Sequence, residues 1–413
     1  MSGGRVRVAV TGMGVKCPAG TSVEETWATV LAARPTAAVV PELAEAELPV
    51  RIACLVPPFD WEPYIGRREL RQIDRTTALL LCAAADALAD AGTADGVPAH
   101  RIGVHVGTGV GGLPSMEDVA IRHGARPAQM PVHTVPKTMA NSPACRLAMR
   151  YGFRGSCLTY TTACASGTDA IGEAARRIRY GELDVAVTGG VDAPVTRVVM
   201  AGFARMRALS ARGSGPGGDP ALASRPFDAD RDGFVLGEGA AVLVLERWDL
   251  AVARGARIHG EVTGYAATCD GFHIVAPRPD GATAAACMRL ALADAGLPPS
   301  AVGHVNAHGT STVLNDRAEA AALARCFGAA APPVTAVKGV TGHLVGGSGA
   351  VEAVVALLSA GRGLVPPVAT TTAPEPPGLD LVLRAPRDVG RRPVLSTSFG
   401  FGGQNACLVL SPT

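Results

Sequence analysis

Apolar residues recur along the chain in two alternating patterns, one with helical spacing and one in short continuous runs typical of buried strands. Residues 76–91 carry one apolar helical stripe, formed by Leu80, Ala84, Ala87, Leu88 and Ala91. Residues 282–295 repeat the pattern, and a glycine follows each stretch, as expected where a helix stops. Alternation of strand-like and helix-like segments along the whole chain predicts an α/β layered fold.

The same hexapeptide, ALADAG, ends both helical stretches, at 87–92 and at 291–296. In each place a strand and a glycine-marked loop follow, IGVHVGTG from Ile102 and VGHVNAHG from Val302. Because the match keeps its context of helix, strand and loop, it indicates an internal duplication.

We therefore predict two similar halves, residues 1–254 and residues 255–413. The helical segments 167–180 and 349–360 present alanine- and glycine-rich faces, so we expect them to pack closely together at the centre. The glycine- and proline-rich stretch 210–224 is expected to be a surface loop of the first half.

Composition narrows the classes of function. Apolar residues make up 48% of the 413 positions and charged residues 18%, which is typical of a large buried core. A net charge of +2 argues against nucleic-acid binding, which needs a concentrated basic face. No apolar run reaches the ~18 residues of a membrane span. The N-terminus has no signal-peptide pattern, so we expect a cytoplasmic protein.

Cys164 is the first candidate for chemistry. It stands where a β-prone run, Leu158 to Thr162, meets a helix with almost no linker. A helix N-terminus favours the thiolate, and the small neighbours leave room for a substrate. The segment alone also fits one more buried small residue. Several of the other nine cysteines, such as Cys82, lie in apolar runs and are interpreted as small hydrophobic residues, and all nine as inert.

Two histidines follow strands in the second half. His308, in NAHGTSTVLND, and His343, in VKGVTGHLVGGSGAVE, occupy glycine-rich loops with neighbouring hydroxyls. Imidazole and hydroxyl donors in such loops suit an anion. Lys338 either pairs with Glu352 or raises the positive potential near the thiol. His100, His123, His259 and His304 are interpreted as ordinary core or surface residues.

Two further segments are unusually rich in glycine, aromatic or charged residues. STSFGFGGQNA, at 396–406, holds glycines that permit close backbone approach, and Phe401 is placed to cover a pocket mouth. RPFDADRDGFVLGEGAAVLVLE, at 225–246, is expected to form a buried ionic and hydrogen-bond network.

Together these motifs, TACASG, NAHGTST, VKGVTGH, RPFDADRDGFVLGEGA and SFGFGG, resemble the elongating β-ketoacyl-carrier-protein synthases. The resemblance extends from VAVTGMG near the start to the terminal strand. It implies the thiolase fold, a five-layered αβαβα arrangement of two similar halves, and a dimer formed through the first half.

The resemblance implies a decarboxylative Claisen condensation in a discrete (type II) polyketide, polyene or fatty acid synthase. An acyl group passes from the phosphopantetheine of an acyl carrier protein to Cys164. Malonyl-carrier protein then loses CO2, and His308 and His343 stabilise the charge on its thioester oxygen, supported by Lys338. No cofactor or metal of the protein's own is implied.

The remaining site residues are also implied only by resemblance. The backbone N–H groups of Cys164 and Phe401 would form the oxyanion hole, with Gly400 and Gly402 beside the gate. Thr310 and Thr312 would line the malonyl side, and Val110 of GTGVGG the acyl tunnel. Carrier-protein docking would use Arg68, Arg71 and Arg207, although a local arginine cluster also fits a solvated helix face.

Several alternatives stay open. Thr397, Gly339 and GGSG at 346–349 depart from the usual fatty-acid pattern, whereas CASGTD is closer to that branch than CTSGLD is. We therefore favour a fatty-acid-type ketosynthase of a specialised polyketide or polyene pathway, as a homodimer or with a chain-length-factor-like partner. Cys164 and both histidines argue against a non-condensing chain-length-factor-like subunit, and Cys407 in NACLVL does not provide the second catalytic cysteine of a degradative thiolase. A ketosynthase-like acyltransferase or cyclase stays open.

Overall fold

Fourteen strands lie in the part of the chain that the structure, a computed structural model, describes, namely residues 6–92, 96–215, 217–328 and 331–413. They are β1 Val8–Lys16, β2 Ala38–Val39, β3 Ile52–Ala53, β4 Ile102–Gly107, β5 Cys157–Tyr160, β6 Val185–Asp192, β7 Gly239–Arg247, β8 Gly260–Cys269, β9 His304–Asn306, β10 Val334–Thr335, β11 Leu364–Val365, β12 Arg387–Asp388, β13 Val394–Gly400 and β14 Gln404–Ser411.

Ten of these strands form one mixed sheet in the order β10-β9-β13-β14-β8-β1-β7-β6-β4-β5. The order is the same in both halves when each is followed outward from the centre. The first half gives β1-β7-β6-β4-β5 and the second gives β8-β14-β13-β9-β10. The halves meet where β1 and β8 pair antiparallel over a short stretch. The predicted duplication is therefore confirmed.

The described helices are α1 Val23–Leu31, α2 Pro41–Glu45, α3 Arg67–Leu70, α4 Arg75–Ala91, α5 Leu113–His123, α6 Thr134–Thr138, α7 Ser142–Tyr151, α8 Ser166–Arg179, α9 Arg197–Arg205, α10 Trp248–Ala253, α11 Ala282–Ala295, α12 Val313–Phe327, α13 Lys338–Thr341 and α14 Ser348–Arg362. Helices α8 and α14 lie at the centre and contact strands of both halves. Helices α4 and α7 cover the outer face of the first half, while α11 and α12 cover the second. The layers are therefore the outer helices of the first half, its five strands, the central helices, the five strands of the second half and its outer helices. This is the expected αβαβα arrangement, so the thiolase fold is confirmed.

The repeated hexapeptide has a physical reason. Helix α4 lies so close to β1 that an added Cβ on Gly12 would be 2.1 Å from the Ala87 carbonyl oxygen. In the second half, a Cβ on Gly264 would be 2.3 Å from the Ala291 carbonyl oxygen. Each strand also carries a one-residue bulge just before its glycine, at Thr11 and Thr263.

The aspartate of each hexapeptide satisfies a backbone group beside its bulge. Asp90 accepts a hydrogen bond of 3.0 Å from Met13 N, and Asp294 accepts one of 2.9 Å from Tyr265 N. Without these carboxylates, buried N–H groups would lose their partners. ALADAG is therefore a packing motif. Its alanines let the helix lie against a glycine of the strand, and its aspartate accepts a hydrogen bond from the backbone beside the bulge.

The central helices approach each other through small residues, as predicted. A Cβ on Gly167 would lie 2.7 Å from Gly346 O, and one on Gly349 would lie 2.1 Å from the Thr168 hydroxyl. Larger side chains would hold α8 and α14 apart, and with them the loops at their N-termini. No helix in the described ranges is long and apolar enough to cross a membrane.

Candidate active site

Cys164 lies in a strained turn between β5 and α8. The turn is a 3₁₀ segment, Ala163–Ala165, and Ala163 adopts a positive φ of 51°. Thr162 N donates to Ser166 Oγ at 2.9 Å, and that hydroxyl donates to Ala163 O at 2.6 Å. Strain at a non-glycine residue persists only where the surroundings hold it, and these bonds hold it here. The predicted junction of strand, turn and helix is confirmed.

A buried carboxylate secures the strand side of the same turn. Asp169, one helical turn into α8, accepts a hydrogen bond from the Thr162 hydroxyl and another, of 2.7 Å, from Tyr265 OH. Tyr265 belongs to β8 of the second half. The position of the Cys164 turn is therefore fixed by both halves of the molecule.

The structure brings both predicted histidines to Cys164. One sulfur atom and two imidazole nitrogens, from Cys164, His308 and His343, all lie within 4.8 Å of one another. The imidazole rings meet edge to face, with centroids 5.3 Å apart. Both histidines are buried, at 1% and 3% exposure, so they act in a dry site.

Lys338 orients the His308 ring. Its Nζ lies 3.1 Å from His308 Nδ1 and donates to His308 O at 2.6 Å, while it forms a buried ion pair with Glu352. An ammonium group has no acceptor, so Nδ1 must accept. Assigned from this network, the His308 proton is on Nε2, which is therefore a donor toward the site.

Ser348 contacts the second ring. His343 Nδ1 lies 2.9 Å from Ser348 Oγ, which also accepts a hydrogen bond of 2.8 Å from Leu344 N. A hydroxyl both donates and accepts, so Ser348 accommodates either tautomer of His343. His308 is locked as a donor, whereas His343 is free to donate or to accept at Nε2.

Burial sets the charge of these groups. Desolvation, and then the Lys338 charge, lower the pKa of His308 and His343 well below the usual value, so both rings are neutral at pH 7. Burial raises the pKa of Cys164 to about 12, although the Lys338 charge and a hydrogen bond from Phe401 N act to lower it. The expected thiolate is not favoured, because desolvation is the largest influence on this sulfur and it acts against the charged form.

The FGFGG turn closes the site on the other side of the sulfur. The backbone N–H of Phe401 points at Cys164 Sγ. A Cβ on Gly400 would lie 2.8 Å from Thr162 O and 3.0 Å from Cys164 N, so this approach requires glycine. Gly402 has a positive φ of 83°, and its N–H donates to Ile274 O at 2.8 Å.

Comparison with known proteins agrees with this geometry. Residues 5–251 match the N-terminal domain of β-ketoacyl synthases and residues 259–372 the C-terminal domain. The chain belongs to the β-ketoacyl synthase family. It is 40% identical over 407 residues to 3-oxoacyl-[acyl-carrier-protein] synthase 2 of Synechocystis, covering 97% of each chain.

Two solved structures resemble the synthase closely. One is a type II polyketide acyl-carrier protein in complex with its ketosynthase bound to the hexaketide, matched at TM-score 0.91 and 29% identity over 99% of this chain and 100% of that one. The other is the ishigamide ketosynthase/chain length factor, matched at TM-score 0.90 and 34% identity over the same shares.

The predicted pocket residues lie around this centre. Val110 is half-buried on the loop after β4, and the adjacent Gly109 approaches Ala163 O of the nucleophile turn. Thr310 and Thr312 follow His308, with their hydroxyls 2.8 Å apart. Thr312 also caps α12 by accepting from Asn315 N. The structure thus brings these residues to the site, and their roles toward substrate stay predictions.

Glu319 and Thr397 support the site in ways that sequence reasoning missed. Glu319 accepts hydrogen bonds of 2.8 Å from His308 N, Gly309 N and the Thr397 hydroxyl. Thr397 also accepts from His308 N at 3.1 Å. The available signal was Glu319 itself, one of two acids, with Asp316, in the alanine-rich helix that follows NAHGTST. Thr397, noted above as a departure from the family pattern, is therefore part of the shell that positions His308.

The predicted docking arginines are exposed. Arg68 lies on α3, Arg71 directly after it, and Arg207 just beyond α9. In the described part of the chain, none of the three has an ion-pair partner, whereas the nearby Arg75 is engaged by buried Glu238. Helix α9 also lies beside the FGFGG turn, since the centroid of its Phe203 ring is 6.2 Å from that of the Phe401 ring.

The 225–246 motif is structural, as predicted. Arg231 is fully buried and pairs with Asp316 and Glu375, and Asp228 accepts bonds from backbone N–H groups of residues 372 and 373. Cys407 is buried in β14 and is not the second site cysteine that a degradative thiolase would need. The chemistry therefore centres on Cys164.

Proposed function

We propose that the synthase condenses an acyl group held on Cys164 with malonyl-carrier protein, releasing CO2. The observation that carries this proposal is the grouping, within 4.8 Å, of one thiol and two neutral imidazoles with separate hydrogen-bonded supports. Acyl transfer needs the thiol, one base for its proton and one oxyanion hole. Two donors beside it are what an enolate-forming step requires.

Acyl transfer comes first. The sulfur of Cys164 attacks the thioester carbonyl of an acyl-carrier protein, and the thiol proton passes to Nε2 of His343, the ring whose tautomer Ser348 leaves free. The N–H groups of Cys164 and Phe401 receive the oxyanion. Collapse of the intermediate expels the phosphopantetheine thiolate, which takes the proton back from His343, and leaves a thioester on Cys164.

Condensation follows at the same atoms. The bond between the malonyl carboxylate and Cα breaks, CO2 leaves, and the electron pair forms an enolate whose charge rests on the thioester oxygen. Nε2–H groups of His308 and His343 donate to that oxygen. The enolate carbon then attacks the acyl thioester and expels the Cys164 thiolate, which takes up a proton from water to restore the thiol, so that one proton is consumed for each CO2 released. Each donor aimed at such a charge contributes about 10²–10³ in rate.

Substrate and partner follow from the same resemblance. We assign Val110 to the acyl tunnel and Thr310 and Thr312 to the malonyl side. Exposed Arg68, Arg71 and Arg207 are assigned to the acidic helix of a carrier protein. Similarity to the ketosynthase solved with a type II polyketide acyl-carrier protein, and to the ishigamide ketosynthase/chain length factor, favours a specialised polyketide or polyene pathway, as a homodimer or with a chain-length-factor-like partner.

Intact-mass trapping tests the proposal. The synthase is incubated with acyl-carrier proteins of several chain lengths, and Cys164→Ala is compared with Cys326→Ala, a half-buried cysteine near the end of α12. We expect an acyl adduct on the unaltered protein and on Cys326→Ala, and none on Cys164→Ala. Adducts without CO2 release from malonyl-carrier protein would identify an acyltransferase or cyclase instead.

A further inference from the structure

Asp192, at the end of β6, is a fully buried acid that the proposed mechanism leaves without a role. Its Oδ1 accepts from the Thr108 hydroxyl at 2.6 Å and from Val110 N at 3.1 Å. Its Oδ2 accepts from Gly109 N and Gly346 N, both at 2.7 Å. One carboxylate therefore holds two loops that come from opposite halves of the molecule.

Each loop carries a residue of the proposed chemistry. The first, residues 108–110, carries Val110 of the acyl tunnel. The second, residues 343–348, begins with His343 and ends with Ser348, which contacts the His343 ring. Asp192 also lies close enough to Cys164 for its charge to affect that thiol. It thus supports both loops and lies near the nucleophile between them.

The contact between the loops leaves no room for adjustment. A Cβ on Gly346 would lie 2.6 Å from Gly109 N and 2.7 Å from Asp192 Oδ2. Val345, a β-branched residue, is held at a positive φ of 49°, and its Cγ1 would be 2.5 Å from a Cβ on Gly109. Such a conformation persists only when its neighbours fix it, and the bond from Gly346 N to Asp192 is the adjacent restraint.

We propose that Asp192 is a positioning residue that sets the acyl-tunnel loop and the His343 turn relative to Cys164. It thereby governs both the acyl chain length that is admitted and the rate of decarboxylation. This inference rests on the proposed roles of Val110 and His343. Asp192 is not assigned a contact with substrate.

A carboxylate is required because all four partners are donors. Asparagine has the same shape but only one accepting oxygen, so its NH₂ would face two N–H or O–H donors. Burial raises the pKa of Asp192 to about 6, and its four hydrogen bonds oppose that shift, so the group is ionised at pH 8. Its charge in turn raises the pKa of Cys164.

The test compares Asp192→Asn with Asp228→Asn in the full-length protein. Asp228 is a matched control, because it too is fully buried and accepts from backbone N–H groups, but on loops that carry neither Cys164 nor His343. Three quantities are measured on each: CO2 release from malonyl-carrier protein, the rate of Cys164 alkylation by iodoacetamide at pH 8, and the chain-length profile of self-acylation.

For Asp192→Asn we expect CO2 release to fall about 10- to 100-fold, since a misplacement near 1 Å has that scale of effect. Alkylation of Cys164 should not slow, because removing a negative charge lowers the thiol pKa. The chain-length profile should change. Asp228→Asn should lower the Tm while leaving the ratio of CO2 release to alkylation, and the profile, as in the unaltered protein.

Two results would overturn the inference. One is equal loss of CO2 release and alkylation in Asp192→Asn, which would mean a purely structural role. The other is no change in either CO2 release or profile. If Asp192→Asn does not fold, Gly346→Ala, which strains the same contact from the other side, is judged by the same ratio. Loss of CO2 release from Cys164→Gln would instead count against the proposed function itself.

Discussion

Replacing Lys338 by methionine separates the effect of this residue on the fold from its effect on His308. Lys338 and Glu352 are each only 1% exposed, so the substitution leaves a carboxylate buried without its partner. Breaking one side of a buried pair destabilises by about 3–5 kcal/mol. The same substitution removes the donor that fixes the His308 tautomer, and we expect decarboxylation to fall at least ~10²-fold, the scale of one lost oxyanion donor.

The double variant Lys338→Met with Glu352→Leu distinguishes the two effects. Replacing a whole buried pair by apolar residues of similar volume is often neutral or stabilising, so stability should return. Decarboxylation should not, because His308 still lacks its donor. Urea unfolding and CO2 release from malonyl-carrier protein measure the two quantities. Recovery of CO2 release together with stability would refute the tautomer argument.

The pH dependence of the single variant gives an independent check. Burial raises the pKa of Glu352, and the Lys338 charge is the main influence that lowers it. Without Lys338 the folded pKa rises further above the unfolded value. The folded state then favours the protonated acid, so the stability that Lys338→Met loses relative to the unaltered protein should be smallest at low pH and should grow as pH rises through the folded pKa of Glu352.

Three shorter predictions concern the proposed site. His308→Ala and His343→Ala should each lower CO2 release at least ~10²-fold while affecting alkylation of Cys164 less, and unimpaired CO2 release would contradict their roles. Val110→Phe should exclude long acyl primers and admit short ones by steric overlap, whereas equal loss for all lengths would place Val110 outside the tunnel. Charge reversal at Arg68 and Arg207 should raise the KM for carrier protein and make that KM less dependent on salt, while activity on small pantetheine thioesters stays nearly unchanged. Equal loss of activity on both kinds of substrate would mean that the docking surface lies elsewhere.

The internal duplication was predictable because its signal is local. ALADAG packs on the strand of its own half, where Gly12 and Gly264 each receive it, so sequence and structure repeat together. The positions of Cys164 and His308 followed from similar reasoning, since both lie at a junction directly after a strand. Elements of this kind are specified by residues close in sequence.

The supports of the site were not predictable, because they join distant segments. Asp192 binds Gly346, 154 residues away, and Glu319 contacts Thr397, 78 residues away. The sequence around Asp192, at a strand end, and around Glu319, in a helix, does not indicate which distant residue each will contact. The raised pKa of Cys164 was missed for the same reason. The sequence shows that this residue precedes a helix, whereas the desolvation that raises its pKa depends on residues brought together only in the folded protein.

Buried neutral histidines make the stability of the synthase depend on pH. Burial is the first cause that lowers the pKa of His105 to about 4 and of His304 to about 3, and it also lowers those of His308 and His343. As pH falls below ~6.5, the unfolded chain binds protons that the folded chain does not. Each such group then removes about 1.4 kcal/mol of stability per pH unit.

Buried acids with raised pKa values oppose this loss at lower pH. Burial raises the pKa of Asp192 and of Asp316 to about 6, so below that pH the folded state binds their protons before the unfolded state does. Stability should therefore fall as pH drops below about 6.5, but by less per pH unit than the four histidines alone would remove. Urea unfolding across pH 5 to 8 measures the curve.

A substitution at His304 tests how much one buried histidine contributes to the loss of stability at low pH. Its ring nitrogens have no hydrogen-bond partner in the described ranges, and the ring is buried on β9, so leucine should replace it with little loss at pH 8. His304→Leu should reduce the slope below pH 6.5 by about 1.4 kcal/mol per pH unit. His100→Leu, at an exposed position, is the matched control and should leave the slope unchanged. An unchanged slope in His304→Leu would show that this ring takes up its proton equally in the folded and unfolded states, and would remove burial as the cause of the acid sensitivity.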